Sequence, residues 1–515
     1  MVTTMKSIFA YIVTVYLGVI VTAYAGAETP RVKTVSGWVE GTVEQSGVKS
    51  FKGIPYADPP VGDLRWREPQ PIKPWTGVKA AKEFGPRPLQ PALYKDTIFR
   101  SARMSEDCLY LNVWSPQLGD EAKLPVLVYI HGGGMITGDG SEPRYDGESD
   151  ARAGVVVVTI NYRLGVLGFL ALHDLTLESP HHVSGNYGLL DQRAALLWVR
   201  ANIAAFGGDP EHVTIAGQSA GAMSVCAHMV SPLSRNLFIG AIGESGAMVG
   251  DFRLLSLKEA ESRGATLAKK QSGASLAALR ALSAEQLLAA TGGITFSSFP
   301  PVLDHYFFSE DPTVTFATGK QADVPLLVGW NTAEIDGGFL LKDEPWTLAG
   351  YNAALATRFG PDSASALKAY PVNTASNVSA AAGEVSSDDL IVYNTWKWAD
   401  LHSKTSGSPV FRYLFRRASP DAPGARHSAE IPYAMGNLSL IHSYEWTNAD
   451  FQTSAAMQTY FLNFIKHGNP NSPSLPAWPW IQASIPKVMA FDIVSETIAE
   501  PSPRRFQFWD SLYYR

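Results

Sequence analysis

Two glycine-rich stretches carry the residue types that acyl transfer needs. Gly217-Gln218-Ser219-Ala220-Gly221 places one serine among small neighbours, after the apolar run at 212–217 and before Ala220–Val230, which has helical character. A serine at a strand-to-helix corner presents its hydroxyl outward at the positive end of a helix, and the flanking glycines let strand and helix pass closely. A plain glycine-rich turn would read the same over five residues, so the assignment depends on the partners. His131-Gly132-Gly133-Gly134 ends another apolar run, at 124–130, and its glycines offer backbone N–H groups with no side chain in the way. Such donors stabilise the oxyanion that develops on an attacked carbonyl. A flexible loop would use three glycines equally well, but a serine corner after one strand and a glycine run after another are more specific together than either alone. Gly133, Gly134 and Ala220 are the expected oxyanion donors.

These residues need a sheet to hold them. The runs at 124–130, 154–162, 212–217, 237–245, 324–330 and 409–415 are apolar almost throughout and each gives way to glycine, asparagine or polar residues. Strands buried on both faces have this composition, and parallel sheets covered by helices bury both faces. Between them, 189–206 repeats apolar residues at three- and four-residue steps and ends at Gly207, which reads as a helix. Alternating strands and helices predict an α/β doubly wound sheet. Short β-rich runs at 31–56 predict an antiparallel hairpin at the start, and alanine- and leucine-rich helices are expected as insertions over the sheet between about Ser256 and Asp400.

The chain has 515 residues, 17% of them charged, with a net charge of -6 and no long run of either sign. Nothing here attracts nucleic acid or an anionic membrane, so a small molecule is the expected partner. The N-terminus has Lys6, an apolar stretch from Ile8 to about Ala23, and the small-x-small sites Ala23-Tyr24-Ala25 and Ala25-Gly26-Ala27. This predicts a signal peptide over 1–27, export to the periplasm or the medium, and no stable membrane association after cleavage. The apolar stretch is shorter than the roughly 20 residues that a membrane span needs. Cys108 and Cys226 are expected as two buried free thiols.

Further motifs extend the pattern: "GIPYADPPVGDLRW" (53–66), "EDCLYLNVW" (106–114), "NYRLGVLGFL" (161–170) and "GNYGLLDQRAALLWVRANIAAFGGDPEHVTIAGQSAGA" (185–222). With "HGGGM" they resemble, in order and over nearly all of the chain beyond the signal segment, the type-B carboxylesterases, the α/β-hydrolase family that includes the cholinesterases. The resemblance implies the α/β-hydrolase fold over 28–515, with a large, mostly parallel sheet and helical insertions over the site. It also implies a serine hydrolase of carboxylic esters that needs no metal or cofactor. Lipase, thioesterase and amidase activity on the same residues remain alternatives, as does a non-catalytic binding protein of the same fold.

The family pattern G-x-x-H-x-x-E-x-x-Y fits "GARHSAEIPY" and implies His427 as the base. Other histidines have plainer settings: His131 in the glycine loop, His212 opening a strand, His467 in "FIKHGNPN". The pattern G-x-N-x-x-E fits "GWNTAE" and implies Glu334 as the acid, in the order serine, acid, histidine. Ala333 and Ile335 flank it where family members often carry an acid and a glycine, which leaves Asp336 as a competitor. Ser245, in "GESGA", resembles a second serine near the triad that supports it, and helix capping is its alternative use. Cys108 matches a family cysteine whose partner lies shortly after "FG", where this chain reads "PRPLQ", so the usual staple is absent. Cholinesterases hold a quaternary ammonium on a tryptophan just before "EDCLYLN", whereas no tryptophan lies between Trp75 and Trp114 here. Tyr94 and Phe99 are what remains for a weaker cage.

Overall fold

The apolar runs form the middle of one eleven-stranded sheet in the computed structural model. Residues 29–513 are described, apart from 95–96, 272, 274, 294, 296–297, 421, 423 and 482–486, so the expected signal segment lies outside the described residues. In chain order the strands are β1 (Thr42–Val43), β2 (Lys49–Pro55), β3 (Tyr110–Ser115), β4 (Leu124–Ile130), β5 (Val156–Ile160), β6 (Gly208–Gln218), β7 (Gly240–Glu244), β8 (Leu326–Asn331), β9 (Val410–Phe415), β10 (Lys487–Phe491) and β11 (Glu496–Ala499). Across the sheet they run β1-β2-β3-β5-β4-β6-β7-β8-β9-β10-β11. Neighbours from β5 across to β10 are parallel, while β1, β2, β3 and β11 pair antiparallel at the edges. This is the α/β-hydrolase architecture. The expected N-terminal hairpin is present too, Arg31–Thr34 against Gly37–Glu40, in a small separate sheet.

The period of two along each strand sends side chains to opposite faces. On β4, Val126, Val128 and Ile130 pack into one hydrophobic cluster, with Leu189, Leu196 and Val199 of α1 (Tyr187–Asn202) and Val225 of α2 (Ala220–Val230). Leu127 and Tyr129 enter the cluster on the other face, with Met457, Tyr460 and Phe464 of the helix at Asn448–His467. Both faces are dry, which explains the near-continuous apolar runs. Each fully buried large apolar side chain contributes roughly 1.5–3 kcal/mol, so a one-residue slip in register is strongly disfavoured.

The parallel ladder also levels the strand ends. Gln218 pairs with Glu244, Glu244 with Gly329, and Asn331 with Phe415, so the loops after β6, β7, β8 and β9 leave from one edge of the sheet. The expected insertions are present as helices, among them α3 (Leu257–Lys270), α4 (Val378–Ser387), which borders Glu334 and His427, and α5 (Tyr393–Thr405), whose Trp398 and Ala399 pack on the face of the sheet. Ser256 caps α3 in a capping box with Glu259. Cys108 and Cys226 are both buried and free, and burial pushes the Cys226 thiol up to about 12. Among the described residues no helix is long and apolar enough to cross a membrane.

Candidate active site

Ser219 stands between β6 and α2 with φ 56° and ψ −123°. This is a sparsely populated conformation for a residue with a side chain and costs on the order of 1–3 kcal/mol. The neighbours enforce it. Ser219 N–H donates to the Glu244 carbonyl at 2.8 Å, extending the β6–β7 ladder, while its own carbonyl accepts from Met223 N–H at 2.9 Å and starts the helix. The glycines are required by contact: a Cβ on Gly217 would lie 2.5 Å from the carbonyl carbon of Gly221, and one on Gly221 would overlap the carbonyl oxygen of Ile130. One strand over, Ser245 repeats the corner with φ 55°, its N–H donating to the Gly329 carbonyl at 2.8 Å. It caps no helix.

The loops after β8 and β9 carry the expected acid and base and are stitched together. Ala333 N–H donates to the Ala425 carbonyl at 2.8 Å, and Asn331 Nδ2 donates to the Arg426 carbonyl at 2.7 Å. At the end of this seam His427 Nδ1 meets Glu334 Oε2 at 2.6 Å. Glu334 Oε1 accepts from the Ser245 hydroxyl at 2.6 Å and from Asn331 N–H. Asp336 is exposed and accepts instead from Gly338 N–H at 2.7 Å, at the start of a short helix. The structure therefore brings His427, Glu334 and Ser245 together and leaves Asp336 outside.

A proton on His427 Nδ1, shared with the carboxylate, leaves Nε2 as an acceptor. Gln218 Nε2 lies 3.4 Å from it. Among the described residues no hydrogen bond joins Ser219 Oγ to His427, although Ser219 follows Gln218 directly. Such contacts commonly tighten only when substrate is bound.

Burial acts to lower the imidazole pKa, but the hydrogen bond and charge of Glu334, with the charge of Glu430, outweigh it and hold His427 above the ordinary histidine value. Glu430 is a site residue that the spacing argument left unassigned, although it is the glutamate of "HSAE". It is fully buried, 3.2 Å from the Ser245 hydroxyl and bonded to Asn331 Nδ2. Burial and the neighbouring Glu334 charge push its carboxyl up to about 7.

The glycine loop after β4 comes to the same place. A Cβ on Gly132 would lie 3.1 Å from Ser219 Cβ. Gly133 and Gly134 have φ of 100° and 63°, which favours glycine there. Among the described residues, the N–H groups of Gly133, Gly134 and Ala220 donate to no protein acceptor. His131 is buried, stacked on Tyr162, and pushed down to about 4 by burial, so it is neutral. Its Nδ1 lies 2.9 Å from the Gly132 carbonyl. Beside His427 and Glu334 a cavity of about 830 Å³ opens, with walls that include Arg144, Gly383, Tyr444 and Trp446. Ser219 is not among its walls, so this space flanks the serine. No group of histidines, cysteines and carboxylates suited to a metal occurs among the described residues.

The model of the carboxylesterase family matches residues 28–509. The chain belongs to the carboxylesterase family. Relatives within that family include the fumonisin B1 esterase of Sphingopyxis macrogoltabida, 38% identical over 87% of this chain and 83% of that protein. The para-nitrobenzyl esterase of Bacillus subtilis (strain 168) is 36% identical over 92% of this chain and 96% of its own length. A solved PNB esterase structure superposes with a TM-score of 0.77 at 35% identity, covering 93% of this chain and all (100%) of that one. As a carboxylesterase the chain is a hydrolase of carboxylic esters, and small-molecule esters are the substrates consistent with the family.

Proposed function

We propose that ester hydrolysis here runs through Ser219, His427 and Glu334. The single observation that carries this reading is the 2.6 Å contact of His427 Nδ1 with Glu334, made at the strand ends beside the Ser219 corner. His427 Nε2 takes the hydroxyl proton as Ser219 Oγ bonds to the acyl carbon. The carbonyl oxygen becomes an oxyanion, and the unspent amides of Gly133, Gly134 and Ala220 stabilise it. Collapse breaks the bond to the alcohol oxygen, which leaves with the proton from His427. Water then repeats the sequence on the acyl-enzyme, its proton passing through His427, and releases the acid. Glu334 holds the Nδ1–H tautomer and stabilises the imidazolium that forms. No metal or cofactor enters these steps.

A sulfonyl fluoride or organophosphate should label Ser219 stoichiometrically and stop turnover, with the adduct located by peptide mapping. Label on another residue, or full activity in Ser219→Ala, ends this reading. We also propose export after cleavage near Ala25 or Ala27, on the strength of the N-terminal pattern. N-terminal sequencing of the protein from its native host tests it: a mature chain that keeps Met1 overturns the proposal.

A further inference from the structure

We propose that Gln90 is a positioning residue for the oxyanion-binding amides, an inference that rests on the role given above to Gly133 and Gly134. Gln90 lies in "PRPLQ", where the family's loop cysteine has no counterpart, and its side chain is 4% exposed. Its carboxamide spans both hydrogen-bonding groups of one glycine: Nε2 donates to the Gly138 carbonyl at 2.9 Å and Oε1 accepts from Gly138 N–H at 2.8 Å. The same Oε1 accepts from the Thr137 hydroxyl, and Nε2 also donates to the Pro88 carbonyl at 3.0 Å. Every hydrogen-bonding group of this amide side chain is thereby engaged.

The pinned residues form the back of the glycine loop. Ile136 N–H and Thr137 N–H close it by donating to the Gly133 carbonyl at 3.1 and 3.0 Å, and a Cβ on Gly133 would overlap the Thr137 carbonyl. Gly138 in turn lies against the Gly132–Gly133 peptide: a Cβ on it would sit 2.6 Å from the Gly132 carbonyl oxygen. A trans peptide is planar, so its carbonyl and the N–H of the following residue point in opposite directions. Whatever fixes the Gly132 carbonyl therefore fixes the direction of the Gly133 N–H. Gln90 holds Gly138, and Gly138 and His131 Nδ1 together bound the Gly132 carbonyl, so the direction of the Gly133 donor is set before substrate arrives. Donors aimed at a developing charge act on the transition state more than on the bound ester.

Gln90→Ala and Gln90→Met, the second keeping the length and bulk of the side chain without its hydrogen bonds, test this with a soluble uncharged p-nitrophenyl ester and a trifluoromethyl ketone inhibitor. Both variants should lose roughly ten- to a hundredfold in kcat with KM changed less than about threefold, a loss in keeping with a small displacement of catalytic groups. Trifluoromethyl ketone affinity should fall by a similar factor, because the inhibitor presents an oxyanion. Wild-type kcat in Gln90→Met would show that packing alone is needed and overturn the proposal. A fall in kcat with unchanged ketone affinity would also overturn it. Should Gln90→Ala fail to fold, the length-matched methionine variant still decides. Activity persisting in Ser219→Ala would instead defeat the reading of the site itself, a separate outcome from unaltered kinetics in the Gln90 variants.

Discussion

Ser245 donates its hydroxyl to Glu334 Oε1 at 2.6 Å, leaving Oε2 to His427. The Asn331 N–H falls on Oε1 as well, so the carboxylate is held at both ends and cannot rotate away from the imidazole. Ser245 thus holds the carboxylate proposed as the acid.

The ranking of the two acidic residues follows. Glu334→Gln should lower kcat/KM by about 10²- to 10⁴-fold, because an amide both removes the charge and opposes the Nδ1–H tautomer. Asp336→Asn, exposed and bonded to the Gly338 amide, should stay within about threefold of wild type. Steady-state kinetics on one p-nitrophenyl ester checks both values. A reversed order would transfer the acid's role to Asp336.

The pH profile has a defined sign. With His427 as the proposed base, working as neutral imidazole with its pKa above the ordinary histidine value, kcat/KM should fall with decreasing pH through a group titrating above about 6.5. Glu430, itself titrating at about 7, carries its charge only at the neutral end of this limb, so Glu430→Gln should move the limb to lower pH by a small amount. An acid limb below pH 6 in the wild type, or no movement in the variant, would contradict this electrostatic arrangement.

Glu430 also ties stability to pH. Its folded pKa of about 7 lies above the ordinary glutamate value of 4.5, so its stabilising contribution is fully present below pH 4.5 and is lost as pH rises through 7. Glu430→Gln should therefore gain on wild type between pH 5 and pH 8, by on the order of 1–3 kcal/mol. Thermal or urea denaturation at the two pH values measures it. A difference that stays constant with pH would mean the buried carboxyl does not titrate in this range.

Choline esters should gain little. Phe99, one of the two aromatic residues left for a cation cage, already has the Arg87 guanidinium over its ring at 4.9 Å, and Tyr94 is half exposed. A second cation is repelled there rather than held. Values of kcat/KM for a choline ester and its uncharged 3,3-dimethylbutyl analogue should agree within about tenfold, or roughly 1.4 kcal/mol. A larger preference for choline would reveal a cation site elsewhere in the entrance.

The centre of the sheet is legible in the sequence because burial on both faces leaves apolar runs that no surface strand shows. The edges are not: β1 has two residues, β11 is half exposed, and β3 hides inside a motif that reads as family signature. The serine corner and glycine loop are legible because their geometry demands glycine at fixed offsets. The 2.6 Å contact of His427 with Glu334 joins loops 93 residues apart, and local spacing does not encode it, so those two residues came from resemblance. Glu430 and Gln90 went unassigned for a related reason. Their importance lies in what surrounds them, a buried second carboxylate in one case and both hydrogen-bonding groups of Gly138 in the other.

The levelled strand ends separate two things that evolution can alter independently. Ser219, Ser245 and Glu334 hang from the ends of β6, β7 and β8, and His427 from the loop beyond β9, so their mutual positions are set by the ladder. The cavity beside His427 takes part of its wall, Ser379, Ala380, Gly383 and Glu384, from α4, in a crossover hung between those strands. Exchanging or lengthening that crossover reshapes the entrance while leaving the strand ends in place. Mutations in the crossover helices should therefore change which esters are admitted while leaving the Ser219 corner in place.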